Sequence, residues 1–499
     1  MRKLIAAIGA AALLSTAAVA IAPSAYAAAP TCSTASDGIE TCTGTLSNGA
    51  GYLIKVPAKF GGTFFYWNHG IRFTYPLPGV ITVPKGVEEL TPSNVPEKQM
   101  LLSGYGLATY DRVSPGGLRG WDAAAGVEML KELIDVVKAN YTVKKGVVYG
   151  SSLAGAILTP FIEKYPTYAD AVGIMAGVTP SIGQEVQSLC DMFYILSVFA
   201  DPTIKGCAAM GVKGPAGFGL AAAEFGKVVA LLQAWGANLG APGLEYPAAL
   251  KGSGIPQRSA LLLTGLLAGL PAKSAHMDGI TTSAVIPEQS INATVAILEN
   301  FGEAIATGTF GGQAVSEITG PGFYDNTKTD WFSLLDPADA GRYNLGLSGD
   351  DGINGMLGVL SMAPRVKGDP AAVEKLKNLD KSKFDTTKPV VLLSNEADRL
   401  VFAGNSARYV DKKRAVYEAA LAKWEASKAG KKPVWNTLAL YAMTPETYTK
   451  FTAAGLPDLA GAPAASGVGH QTFSKAQTMA WVRMLAVSAK SGKIPTGKY

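Results

Sequence analysis

Apolar positions along this chain change period twice. Up to about residue 176 short runs of β-type residues alternate with helical patterns, then the helical period alone persists, and from about residue 386 the alternation returns. Tyr52-Leu53-Ile54-Lys55-Val56-Pro57 reads as a strand, residues 58–62 as a turn, and Phe64-Phe65-Tyr66-Trp67-Asn68 as a second strand ending in His69-Gly70. Residues 104–110 suggest a third strand, and Pro115-Gly116-Gly117 breaks the pattern. Between Trp121 and Asn140, Val127, Leu130, Leu133, Ile134 and Val137 recur at helical spacing and leave one face apolar, the other charged. Gly146-Val147-Val148-Tyr149 is a brief buried strand. A turn at Gly150-Ser151-Ser152-Leu153-Ala154-Gly155 follows, then a helix over 153–164 and a strand over 171–175. Strands alternating with helices predict an α/β fold, with a mostly parallel central sheet flanked by helices.

Residues 177–385, rich in Ala, Gly and Leu, read as a mainly helical cap inserted before the strand Pro389-Val390-Val391-Leu392-Leu393-Ser394. Its most apolar stretch, residues 260–270, is expected to be a helix buried within the cap, the alternative being a pocket-lining or interfacial surface. Gly349-Asp350-Asp351-Gly352-Ile353-Asn354 has the look of a calcium loop but lacks the downstream ligands, so a turn is expected. After Asn395-Glu396-Ala397-Asp398, an amphipathic helix over 407–428 stops at Gly430 and Pro433. Residues 437–441 form a last strand, and a loop carrying Gly467-Val468-Gly469-His470 leads to a final helix over 473–490. The expected organisation is a signal peptide (1–27), a first core part (28–176), the cap (177–385) and a second core part (386–499).

The compartment follows from the N-terminus and the cysteines. Arg2-Lys3, a weakly apolar run over 4–22 and the small-x-small ending Ala25-Tyr26-Ala27 have the form of a secretory signal cleaved after Ala27, and no later segment is expected to span a bilayer. Four cysteines in an exported chain read as disulfides, Cys32 with Cys42 and Cys190 with Cys207. With three histidines in the chain and none close in sequence to a cysteine, no zinc site is expected. The net charge of +5 comes from 44 Lys+Arg against 39 Asp+Glu without a long block of either sign, so a nucleic-acid partner has no support.

The chemistry concentrates at Gly150-Ser151-Ser152-Leu153-Ala154-Gly155. A serine on a sharp strand-to-helix turn holds its hydroxyl above the sheet edge, and small residues two positions to either side, here Gly150 and Ala154, let strand and helix approach. Serine needs a base oriented by a carboxylate. His470 follows the last strand, whereas His276 lies inside the cap and is expected at its surface or lining a pocket. Asp398 sits just past the strand at 390–394, with Glu396 and Asp411 as alternative acids. The oxyanion that forms on attack needs two N–H donors, assigned to Leu153 and Ile71, with His69 bracing the turn at Gly70 in a structural role.

Together Tyr52 through Pro57, Trp67-Asn68-His69-Gly70, the serine turn, Asn395 through Asp398 and Gly469-His470-Gln471-Thr472-Phe473 resemble the exported bacterial α/β-hydrolases, over residues 51–176 and 386–490. The departures are Ala154, where a second glycine is usual, and the long stretch between Asp398 and His470. The resemblance implies a secreted or periplasmic serine hydrolase acting on small-molecule or polymeric carboxylic esters through an acyl-enzyme, without metal or organic cofactor. It leaves open an amidase, peptidase, acyltransferase or non-catalytic binding protein of the same fold. It says nothing of oligomeric state.

Overall fold

The computed structural model describes residues 29–497 except 74, 78–80, 82, 84–86, 88, 93–94, 113–117, 120, 238–256, 281–285, 344–348, 456 and 465. The expected signal peptide (1–27) and the Pro115-Gly116-Gly117 break lie outside the described residues. The central sheet contains β1 (Thr31–Thr34), β2 (Glu40–Thr45), β3 (Gly51–Val56), β4 (Thr63–Asn68), β5 (Tyr105–Tyr110), β6 (Lys145–Ser151), β7 (Ala171–Met175), β8 (Val390–Asn395) and β9 (Thr437–Ala442). Their spatial order is β1-β2-β3-β5-β4-β6-β7-β8-β9. The first three run antiparallel to their neighbours, and the six from β5 to β9 are parallel.

Both faces of the parallel part are covered, and the strand sequences show why they read as unbroken apolar runs. Every residue of β4 is buried; Phe64 and Tyr66 enter one core, Phe65 and Trp67 the other. The first core receives α1 (Ala123–Asn140), whose Val127, Leu130, Leu133, Ile134 and Val137 are the buried stripe its periodicity predicts, and α2 (Gly155–Lys164). On the opposite face lies the last helix, Lys475–Ser491, where Trp481, Val482 and Leu485 pack and the Trp481 indole N–H bonds Val391 O at 3.1 Å. A long helix, Ala403–Ser427, connects β8 to β9.

Between β7 and β8 the described residues contain helices and no strand beyond an isolated bridge at Lys273 and Asp278. The longer ones are α3 (Ile182–Phe199), α4 (Gly214–Ala237), α5 (Gln257–Ala268), α6 (Ile286–Ala306), α7 (Gly312–Thr319), α8 (Gly349–Met362) and α9 (Pro370–Asn378), with a π-turn at Thr307–Gly311. Helix α5 carries the most apolar stretch and packs on α3 and α6 with Ala260, Leu261, Leu262 and Leu263 buried, as a core helix does. Each such leucine contributes about 2 kcal/mol by burial.

Two expectations are corrected and one element was missed. Residues 349–354 are the start of α8 rather than a free turn, with Asp350 and Asp351 in its first turn, where the helix dipole favours them. One helix, Gly214–Gly236, is long and apolar enough to cross a bilayer by length and composition. It packs on α6 and α7 through a face that includes Phe218, Ala221 and Val228. Its Glu224 carboxylate is buried, accepting the N–H groups of Lys205 and Gly206 at 2.7 and 2.8 Å. The β1–β2 hairpin was not expected, because its Thr/Ser-rich strands carry no apolar alternation. Cys32 and Cys42 are register partners in it and form one disulfide; Cys190 and Cys207 form the other.

Candidate active site

Parallel strands end together, so whatever follows β4, β6, β8 and β9 converges on one sheet edge. From β6 the chain passes through a 3-10 turn, Ser152–Ala154, directly into α2. Ser152 itself adopts φ +55°, a strained left-handed conformation for a non-glycine residue, of the kind functional turns hold. The strain is tolerated because the turn is locked: Ser152 O accepts the Val178 N–H at 2.8 Å, and the neighbouring positions are small by necessity. A β-carbon at Gly150 would lie 2.5 Å from Asn68 O and 2.6 Å from the Ala154 methyl, so these positions face each other and only one can carry a methyl. That removes the objection raised by Ala154. One at Gly155 would lie 2.8 Å from Val178 O.

Asp398 is fully buried beyond β8, and its Oδ1 accepts the N–H groups of Leu400 and Val401 at 2.9 and 3.0 Å. His470 Nδ1 lies 3.1 and 3.0 Å from its two oxygens. The long interval between the two residues is closed by backbone pairing. Ala397 bridges Val468, its N–H donates to Gly467 O at 2.9 Å, and its carbonyl accepts the Gly469 N–H at 2.9 Å. Asn395 Nδ2 adds a 2.6 Å bond to Gly469 O. Of the alternative acids, Glu396 is engaged by Lys273 and Thr444, and Asp411 is exposed on the Ala403–Ser427 helix.

Burial by itself would depress the His470 pKa. The charge of Asp398 and its hydrogen bond, with Glu303 and Glu185 farther off, outweigh that and hold it above the ordinary histidine value. The Gln471 side-chain amide, 3.0 Å from Nε2, is the partner of that nitrogen; Ser152 Oγ is not bonded to it. With its Nδ1 proton on Asp398, neutral His470 presents a lone pair at Nε2, which a Gln471 N–H can occupy. Ser152, His470, Gln471, Gly70 and Ile71 line one cavity of about 300 Å³, shared with Trp67, Arg72, Glu89, Thr307 and Leu400.

Beyond β4, His69 is buried and its role is local. Nε2 accepts the Arg112 backbone N–H at 3.1 Å and Nδ1–H donates to Gly70 O at 2.8 Å. Burial, reinforced by the charges of Arg112 and Arg72, depresses its pKa to about 3, so the ring is neutral. The Arg112 guanidinium is also buried; Nη2 donates to His69 O and, at 2.8 Å, to Gly70 O. In a trans peptide C=O and N–H point oppositely. Fixing Gly70 O on Arg112 therefore turns the Ile71 N–H away from Arg112. Gly70 itself touches the serine, since a β-carbon there would stand 2.9 Å from Ser152 Cβ.

Three participants carried no sequence signal. Arg112 follows β5 as one charged residue among many, and Gln471 looked like a neighbour of the histidine. Glu185 lies on α3, more than 200 residues from its partner Asn405, whose Nδ2 donates to it at 2.6 Å. Burial raises the Glu185 pKa to about 7 against the Asn405 bond, with the Asp398 charge adding to the rise. Conversely, His276 neither lies free at the surface nor lines the cavity. Its nitrogens sit 2.7 Å from Glu299 Oε1 and 3.2 Å from Gly461 O.

No protein-family model matches the sequence, and no curated protein matches it. Among solved structures the chain is similar to a feruloyl esterase B from Aspergillus oryzae, at 12% identity over 84% of this chain and 78% of that one, TM-score 0.33. It is similar at 9% identity to a rice cell wall degrading esterase from Xanthomonas oryzae, over 84% of this chain and 91% of that one, TM-score 0.33. It is similar at 8% identity to a serine hydrolase from Cycloclasticus zankles, over 90% of this chain and 98% of that one, TM-score 0.32. Three antiparallel strands leading into a parallel sheet, a left-handed serine between β6 and α2, and an acid and a histidine on the loops after β8 and β9 make this the α/β-hydrolase fold.

Proposed function

We propose that the chain is a secreted serine hydrolase that cleaves carboxylic esters through an acyl-enzyme, with Ser152 as nucleophile, His470 as base and Asp398 as the orienting carboxylate. The observation that carries this reading is the shared cavity: the left-handed Ser152, the Asp398-bound His470 and the Arg112-fixed turn at Gly70 all border it. In the reaction the Gln471 amide leaves Nε2, and the imidazole takes the Ser152 proton as Oγ attacks the ester carbonyl. Asp398 stabilises the imidazolium. The N–H groups of Leu153 and Ile71 receive the oxyanion, and the imidazolium returns its proton to the departing alcohol. Water, activated by the same histidine, then hydrolyses the acyl-enzyme.

A cavity of about 300 Å³ supports compact groups around the scissile bond. The two disulfides, bonds that persist in oxidising compartments, support export. The test is fluorophosphonate labelling with peptide mapping, beside turnover of a chain-length series of esters and amides. Adduct on Ser152, absent from folded Ser152→Ala together with turnover, is the expected result; undiminished turnover by Ser152→Ala overturns the mechanism.

A further inference from the structure

The larger described cavity is not the catalytic one. A recess of about 650 Å³ opens in the helical region between β7 and β8, and it shares no lining residue with the cavity at Ser152. One wall is the C-terminal half of α3, with Tyr194 and Val198. A second is the segment after it, with Pro202, Ile204 and Lys205, and the third is the end of α8 and the chain beyond, with Met362 and Val366. The Cys190–Cys207 disulfide ties the first wall to the second. Tyr194 is held to the third, its hydroxyl 3.3 Å from Ala363 O. Covalent and hydrogen-bonded bracing on these walls keeps the recess open rather than letting apolar side chains collapse into it.

We propose that this recess binds an apolar monocarboxylate, such as a medium-chain fatty acid anion, as a second ligand site separate from the catalytic cavity. Its lining is mostly aliphatic and aromatic, and among the described residues Lys205 is the only charged one in it. The Lys205 ammonium is exposed and gives one hydrogen bond to Pro202 O at 3.1 Å, which leaves donors for a carboxylate. The Asp191 carboxyl, next to the disulfide, is not part of the lining, being held by the Tyr324 hydroxyl at 2.6 Å and Gln187 Nε2 at 2.9 Å. Met362, 80% exposed at the recess, leaves apolar surface in water that an alkyl chain would cover. At roughly 30 Å³ for each water-sized group the recess takes roughly twenty non-hydrogen atoms. Chemistry is not expected there. Among the described residues the lining holds no histidine, and its one aliphatic hydroxyl, that of Ser197, donates to Tyr194 O at 2.6 Å.

The site has its own reporter, because Trp331 stacks on Tyr194 with ring centroids 5.4 Å apart. Folded Ser152→Ala protein, which cannot turn over ester, is titrated below micelle concentrations with decanoate and with decanol, followed by tryptophan fluorescence and calorimetry. One saturable site preferring decanoate is expected. In the background of that variant, Lys205→Met, a change on an exposed side chain, weakens decanoate about tenfold and leaves decanol unchanged, while Ser197→Trp fills the recess and abolishes both. Absence of saturable binding, or binding indifferent to Lys205→Met and to a folded Ser197→Trp variant, overturns the proposal. So does loss of decanoate binding when Ser152 of the unsubstituted chain carries a fluorophosphonate, which places the ligand in the catalytic cavity. The titrations and the Lys205→Met and Ser197→Trp comparisons need neither turnover nor a reactive Ser152, so failure of the hydrolase reading leaves them intact.

Discussion

Glu185→Gln is expected to stabilise the protein above about pH 4.5, increasingly up to about pH 7. Glu185 is buried; the charged groups that bear on it are Asp398, which raises its pKa, and His470 and Arg408, which lower it. Its pKa is about 7 in the folded protein against an ordinary 4.5. Between those values the native state holds a proton that the unfolded state has released. Its contribution to stability is thus complete below about pH 4.5 and lost as pH rises through 7. A rise of about 2.5 pKa units at 1.36 kcal/mol each sets the loss at about 3 kcal/mol, an upper bound. Glutamine keeps an oxygen for the Asn405 Nδ2–H and does not ionise. Urea unfolding with disulfides intact should show the variant close to the parent at pH 4.5 and more stable by up to about 3 kcal/mol at pH 8. The same substitution removes one of the charges that raise His470, so the acid limb of kcat/KM should move to lower pH. A stability difference independent of pH, or a limb that moves upward, refutes the reasoning.

Three further outcomes are expected. Asp398→Asn should lower kcat on the order of 10³ to 10⁴-fold, because an amide N–H facing His470 Nδ1 favours the wrong tautomer; a loss under tenfold in steady-state kinetics contradicts the role. Gly70→Ala places a methyl 2.9 Å from Ser152 Cβ, so the serine turn must shift; it should cost on the order of 10²-fold in kcat/KM and lower the melting temperature as well. Unchanged kinetics would show that the turn is not poised against the serine. Replacing Cys190 and Cys207 by serine opens a bridge of sequence separation 17, for which chain entropy gives a loss of about 3 kcal/mol. An unaltered denaturation midpoint argues that the bridge adds no stability.

The legible parts of this protein were local ones. The period of Val127 through Val137 specifies α1, and the unbroken run in β4 specifies a strand covered on both faces, because each side chain's environment follows from its own neighbours. The serine turn reads largely the same way: Gly150 and Ala154 lie within two residues of Ser152 and face each other across the turn, although the atom nearest Gly150, Asn68 O, comes from β4. The β1–β2 hairpin was illegible for the opposite reason. Its pairing, stapled at Cys32 and Cys42, owes nothing to apolar alternation.

By itself, then, the sequence determined most of the elements, the turn at Ser152 and the order in which Ser152, Asp398 and His470 occur. The tertiary structure alone decided what depends on distant residues meeting. The Ala397–Val468 bridge places His470 on Asp398 across 72 residues, and Arg112 orients the Gly70–Ile71 peptide from a different strand. Gln471 takes the histidine nitrogen that the proposed mechanism assigns to Ser152, and Glu185 enters the electrostatics of the site from the helical region. Hydrogen bonds and buried charges act through distances of a few ångströms, and only folding sets those distances between residues far apart in the chain.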